Sequence, residues 1–123
     1  MTKSLETFSI VRIYSDSEGE TRFEDMEIPL KDSGKIGFLS ELQTTKGIIF
    51  RTVTPSYDYE LHNAPARQYL MVLDGEIEME TSLGDVRRFE SGDVILLEDT
   101  TGKGHKTKNL KKEIRKSVFV LLD

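Results

Sequence analysis

The chain alternates apolar and polar residues in many short runs, and turn residues break those runs at short intervals. A period of two sends successive side chains to opposite faces of an extended strand, so the pattern predicts strands with one buried face. Helical periodicity is scarce. The first run, Phe8–Tyr14, ends at Asp16-Ser17-Glu18-Gly19, and the second, Thr21–Ile28, ends at Pro29. Ile36–Ser40 and Gly47–Thr54 flank the polar turn Gln43–Lys46, and Pro55 stops the latter because it has no N–H to give to a ladder. Gln68–Leu73 and Glu76–Thr81 enclose Asp74-Gly75, which reads as a hairpin turn. Val86–Phe89, Val94–Glu98, His105–Lys108 and Ile114–Leu122 bring the count to about ten strands with little or no helix. Short antiparallel strands in this number bury one face and protect their edges by closing into a jelly-roll barrel, whose mouth is the natural ligand site.

Composition narrows the function. At 123 residues with a formal net charge of -5, the chain has the size of one domain, residues 1–123. It holds no cysteine, which excludes a disulfide framework, a zinc finger and a thiol nucleophile; any metal must use His, Asp, Glu or amide oxygens. The longest apolar runs, Val94–Leu97 and Val118–Leu122, fall far short of the roughly 20 residues of a membrane helix. Met1–Glu6 has no apolar signal core, so the expected address is cytoplasmic, with no membrane partner. The acidic balance argues against nucleic acid as a partner. The basic stretch Lys103–Lys116, against the single Glu113, reads as a solvated edge or loop or as a phosphate-binding patch, and no aromatic residue interleaves it.

Two segments carry recognisable spacing. Gln68 is followed after six residues by Gly75, with His62 shortly upstream. Gly92-Asp93-Val94-Ile95-Leu96-Leu97 is followed by Gly102-Lys103-Gly104-His105-Lys106-Thr107-Lys108-Asn109. Residues 62–109 thus resemble the two motifs of the cupin superfamily, segments 62–75 and 92–109, and more narrowly its small single-domain conserved-barrel members. The resemblance implies an all-β double-stranded β-helix, a jelly-roll barrel that often carries a divalent metal. Where the family has paired histidines the chain has Leu61 and Asn63 with His62 between them, and Gln68 stands where the family usually has Glu. Thr100 occupies the proline position of the second motif.

His62 and His105 are the two histidines of the chain, one in each motif. With Gln68 they compose a neutral set of two imidazoles and an amide for one divalent metal (Fe, Mn, Ni or Zn); alternatively both are structural or contact a ligand directly. Turning His62 inward requires a bulge or loop, because it is out of step with the motif. Arg51, Tyr57, Tyr59, Arg67 and Gln68 are the candidate ligand-binding residues, the tyrosines either lining the pocket or packing plainly, and Arg67 either meeting a ligand carboxylate or pairing with Glu98 or Asp99. Asp99 and Thr101 are expected to cap turns, whereas Glu98, last in its strand, is the candidate proton carrier. Two functions follow: a cupin that binds a small polar molecule in its barrel mouth, or a metal-dependent enzyme of the dioxygenase, isomerase or epimerase type. A homodimer is expected, with the apolar strands Phe8–Ile13 and Val118–Leu122 pairing across a two-fold axis.

Overall fold

A computed structural model describes residues 4–123; the reading of Met1, Thr2 and Lys3 as free of a signal core lies outside these. The strands are β1 (Thr7–Ser15), β2 (Thr21–Pro29), β3 (Lys31–Asp32), β4 (Phe38–Leu39), β5 (Gly47–Val53), β6 (Asp58–His62), β7 (Gln68–Val72), β8 (Glu76–Thr81), β9 (Val86–Glu90), β10 (Val94–Leu97), β11 (His105–Asn109) and β12 (Arg115–Leu121). A six-stranded sheet in the order β2-β1-β10-β7-β12-β5 faces a four-stranded sheet in the order β6-β11-β8-β9, the arrangement of an all-β jelly roll. Every pairing is antiparallel except β1 with β10.

Alternation aims the side chains as the period of two requires. Gln68, Leu70 and Val72 of β7 are buried, as are Ile77, Met79 and Thr81 of β8. Leu70, Val72, Ile77, Met79, Phe89, Ile95 and Leu97 form the apolar core with Ile13 and Ala64. Phe23, Val11 and Phe119 pack against it.

Three expectations need correction. Asp74-Gly75 is not a hairpin turn, because β7 and β8 belong to different sheets. The turn is tied instead to β12, where the Lys116 N–H donates to the Asp74 carboxylate at 2.6 Å and the Leu73 N–H donates to the Lys116 carbonyl at 3.2 Å. These non-local bonds override the short-range signal and carry the chain from one sheet to the other. Ile36–Ser40 is not one strand: a 3-10 turn, Gly34–Ile36, leads into the two-residue β4. Gly34 (φ 76) and Gly37 (φ 105) take left-handed backbone that breaks the extended run. Finally, β1 and β12 are each paired on both sides, so neither offers a free edge to a second copy.

Candidate functional site

The end of β6 lies against the start of β11, and His62 faces His105 directly in the ladder. The next paired residues are Tyr59 and Thr107, so the register slips between the two pairs. This bulge changes the parity of β6, and it puts Tyr59 and His62, three apart in sequence, on one face. Their rings lie 3.8 Å apart between centroids, and His62 lies 4.6 Å from His105. Gly104 makes the approach feasible. Its φ is +79, and a Cβ there would lie 2.2 Å from the His62 carbonyl oxygen, so any other residue would force the two backbones apart.

Both imidazoles are held through Nδ1. That of His62 donates to the Glu60 carbonyl at 2.7 Å, and that of His105 to the Asp99 carboxylate at 2.5 Å. A backbone carbonyl has no proton to give, so His62 carries a proton on Nδ1, and both rings are oriented with Nε2 turned away from these partners. Burial and the neighbouring His105 both push the His62 pKa down, against the Glu60 bond and Asp99, and the net direction is downward from 6.5. Asp99 and His105 are fully buried. Asp99 is the residue that sequence reasoning missed. Its carbonyl accepts from the Ala64 N–H at 3.1 Å and the Asn63 side chain at 3.2 Å, which clamps the loop after β10 to the end of β6. The turn-capping role expected of Asp99 therefore falls to its backbone, while its carboxylate orients His105. The available signal was an Asp six residues before a motif histidine, across a Thr-Thr-Gly-Lys-Gly turn.

Glu98, expected to carry a proton, is engaged elsewhere. Leu97, the last residue of β10, points into the core, and the side chain that follows it points away. There Glu98 accepts from Arg12 and from Arg67, the latter at 2.8 Å, and Arg67 also reaches Asp123 at 3.1 Å. Burial raises the Glu98 pKa, but the two arginines together outweigh that and hold the carboxyl below its ordinary range. Arg67 is thus committed to ion pairs with Glu98 and Asp123. Gln68 does face inward at the start of β7, across the ladders from Leu97 and Leu121.

Arg51 and Tyr57 are half-buried beside the histidines, whereas Tyr59 is 50% exposed and covers His62 from the outside. Tyr57 and Tyr59 meet edge to face at 6.2 Å, extending the row His105, His62, Tyr59 along the sheet. The Arg51 guanidinium lies 5.5 Å from the Tyr57 ring and 4.5 Å from that of Phe119, and its Nε donates to the Ser117 hydroxyl at 2.9 Å. Arg115 departs from the basic stretch to which it belongs in sequence. Whereas Lys106, Lys108, Lys111 and Lys112 are exposed, Arg115 is buried against Gly75 and donates from Nε to the Asn109 side chain at 2.9 Å.

Asp99 adds no carboxylate to a divalent metal held by His62 and His105. The Asp99 carboxylate binds the Nδ1 side of His105, opposite Nε2, so it cannot share an ion with that nitrogen. No group of three His, Cys, Asp or Glu side chains that could hold a metal ion is found among the described residues. Two arginines in the same interior also oppose a cation. The ligand set expected for a metal is therefore the neutral one of His62, Gln68 and His105, without a carboxylate. A cleft of about 580 Å³ is lined by Asp25 and Glu27 of β2 and Arg87 and Phe89 of β9, and contains none of the candidate metal, ligand or catalytic residues.

Comparison with solved structures agrees with this architecture. A Cupin 2 conserved barrel domain protein from Salinispora arenicola superposes with a TM-score of 0.51 at 22% identity, over 62% of this chain and 61% of that one. The chain folds as a cupin. The match spans about three-fifths of that relative's length. The cupin domain of Schizosaccharomyces pombe Cnp3 matches at 12% identity and a TM-score of 0.46, over 96% of this chain and 85% of that one. No protein-family model matches the chain, and no curated protein is significantly similar to it. The cupin barrel here therefore keeps the fold while its first motif lacks the paired histidines and the glutamate.

Proposed function

We propose that this cupin is a small-molecule-binding protein of one domain, residues 1–123, whose barrel mouth receives a small polar metabolite at His62 and His105. The observation that carries this reading is the pair of imidazoles 4.6 Å apart between ring centroids, each tied through Nδ1 and each leaving Nε2 to a ligand. Two oriented ring nitrogens in line with the rings of Tyr57 and Tyr59 suit a ligand with a polar hydroxyl or amine and a flat apolar body. Gln68, on the inward face of β7, adds an amide that both donates and accepts. With Glu98 locked between arginines, binding is favoured over proton-transfer catalysis. The reading includes a cytoplasmic protein without nucleic-acid or membrane partners.

The homodimer is retained with its surface moved. The outer edge of β5 carries Ile48, Ile49 and Phe50, which are 56%, 50% and 77% exposed, and this supports pairing of two copies along β5. Light scattering of the purified chain and of Phe50→Lys checks it: a dimer mass that falls to monomer in the variant is expected.

The binding reading is tested by thermal shift against a panel of polyols, amino sugars and amino acids, using the native chain, His62→Ala and His105→Ala. A saturable shift lost in both variants, whose circular dichroism is unchanged, is the expected result. Shifts that persist in both variants overturn it. Elemental analysis of untagged protein bears on the metal-dependent alternative: near one equivalent of iron, manganese, nickel or zinc, lost in either histidine variant, replaces the binder with a metalloenzyme.

A further inference from the structure

A buried charge that lacks a partner is among the most costly groups a fold can hold, and a bound anion is one way to supply the partner. Arg115 is 1% exposed, and its Nη1 and Nη2 have no hydrogen-bond partner among the described residues, while Nε is occupied by Asn109. A second guanidinium, Arg51, lies against the same tyrosine: Arg51 and Arg115 approach the Tyr57 ring to 5.5 and 5.6 Å. From this geometry we infer that Arg115, with Arg51 beside it, forms a subsite for the carboxylate of a small organic acid.

The chemistry of the donors selects a carboxylate. With Nε taken, Arg115 presents its two terminal nitrogens side by side, the fork that matches both oxygens of one carboxylate. Arg51 is anchored by Ser117 at its own Nε, which sets its charge against the same region without committing its terminal nitrogens there. Tyr57 and Phe119 supply apolar walls for the carbon skeleton attached to the anion. Asp74 is the carboxylate whose charge favours the protonated form of Arg115, and it already accepts the Lys116 backbone N–H. Burial and the like charge of Arg51 oppose the charged form of Arg115, and a bound anion relieves both. Gly75 contributes room: a Cβ there would come within 3.2 Å of the Arg115 side chain, so the motif glycine is what lets this arginine lie inside the turn.

The inference rests on the binding reading for its occupant and names that occupant's class. From Tyr57 the aromatic row continues through Tyr59 to His62 and His105. A ligand with a carboxylate at Arg115 and a hydroxyl or amine toward the imidazoles would span the row.

The test is calorimetric titration of the full chain with benzoate, acetate and, as an uncharged counterpart of the same shape, benzamide, at constant ionic strength set with chloride. Saturable binding of benzoate at least about tenfold tighter than benzamide is expected, with acetate weaker than benzoate. Arg115→Met should remove benzoate binding, Arg115→Lys should weaken it by about tenfold because the fork is lost, and Arg51→Met should weaken it less. Benzoate and benzamide binding alike, no saturable heat with any carboxylate, or full affinity in Arg115→Met overturns the inference. Should Arg115→Met not fold, the benzoate and benzamide comparison on the native chain decides alone, with Arg51→Met as the second variant. The failures separate cleanly. Loss of polyol, amino-sugar and amino-acid shifts in the histidine variants with benzoate binding indifferent to Arg115 leaves the binder and removes the carboxylate subsite; the reverse removes the histidine reading and leaves the subsite.

Discussion

Where β8 and β9 face β1, β10 and β7, the barrel is filled by Ile77, Met79, Phe89, Ile95 and Leu70, all buried and all apolar. Where β5, β6, β11 and β12 meet, it holds His62, His105, Arg51, Arg115, Tyr57 and Ser117, tied by hydrogen bonds and ring contacts. The apolar half gains from every contact it makes, since water removed from hydrocarbon needs no partner. The polar half gains only where each group is satisfied, and Asp99 Oδ1 and the Arg115 terminal nitrogens are not. Stability is therefore concentrated on one side of the barrel and unsatisfied chemistry on the other. That division is what a binding site built into a small barrel requires.

Four substitutions and one titration sharpen the contrast. Gly104→Ala should have the largest effect, a loss of about 4 kcal/mol in denaturant unfolding, because its Cβ meets backbone on β6 that cannot move without breaking the ladder. Ile77→Ala, in the apolar half, should lose about 3 kcal/mol while leaving the nitrogen chemical shifts of both histidines in place. Asp99→Asn should lose about 2 kcal/mol and, unlike Ile77→Ala, redistribute the His105 tautomer seen by nitrogen-15 NMR. Arg115→Met should reverse the sign, raising the stability of the ligand-free chain by about 1 kcal/mol, since it removes a buried charge without a partner. A cost of several kcal/mol instead would mean that Arg115 is satisfied without a ligand.

The smallest effect concerns pH. His62 has a folded pKa below its unfolded value of 6.5, so just under pH 6.5 the unfolded chain binds more protons than the folded one. Stability from this group is fully present above pH 6.5 and declines as pH falls toward the folded pKa. Chemical denaturation between pH 7.5 and 5.5 should show that decline, and His62→Gln should flatten it. A stability that rises on acidification through this window would contradict the lowered pKa of His62.

Most strand positions were legible because alternation is local: β1, β2, β5, β7, β8, β9, β10, β11 and β12 fall where the period of two puts them, within a residue or two. β6 was not legible as a strand, since its residues expose both faces and its bulge breaks the alternation. The Glu98 and Asp99 roles were interchanged for a related reason. Both are carboxylates at a strand end, and parity alone aims one outward toward Arg12 and Arg67, while the loop clamp by Asn63 turns the other to His105.

By itself the sequence determined the class of fold, the faces of the long strands, the second motif and the two histidines, all consequences of spacing along a few residues. Tertiary structure decided which sheet each strand joined, that the Asp74-Gly75 turn crosses between sheets, that the β6 bulge sets His62 against His105, and that Arg115 leaves a run of exposed lysines for the interior. Each of these depends on pairing between residues far apart in the chain. A local pattern specifies which face a side chain takes, whereas only the assembled sheets specify what that face meets.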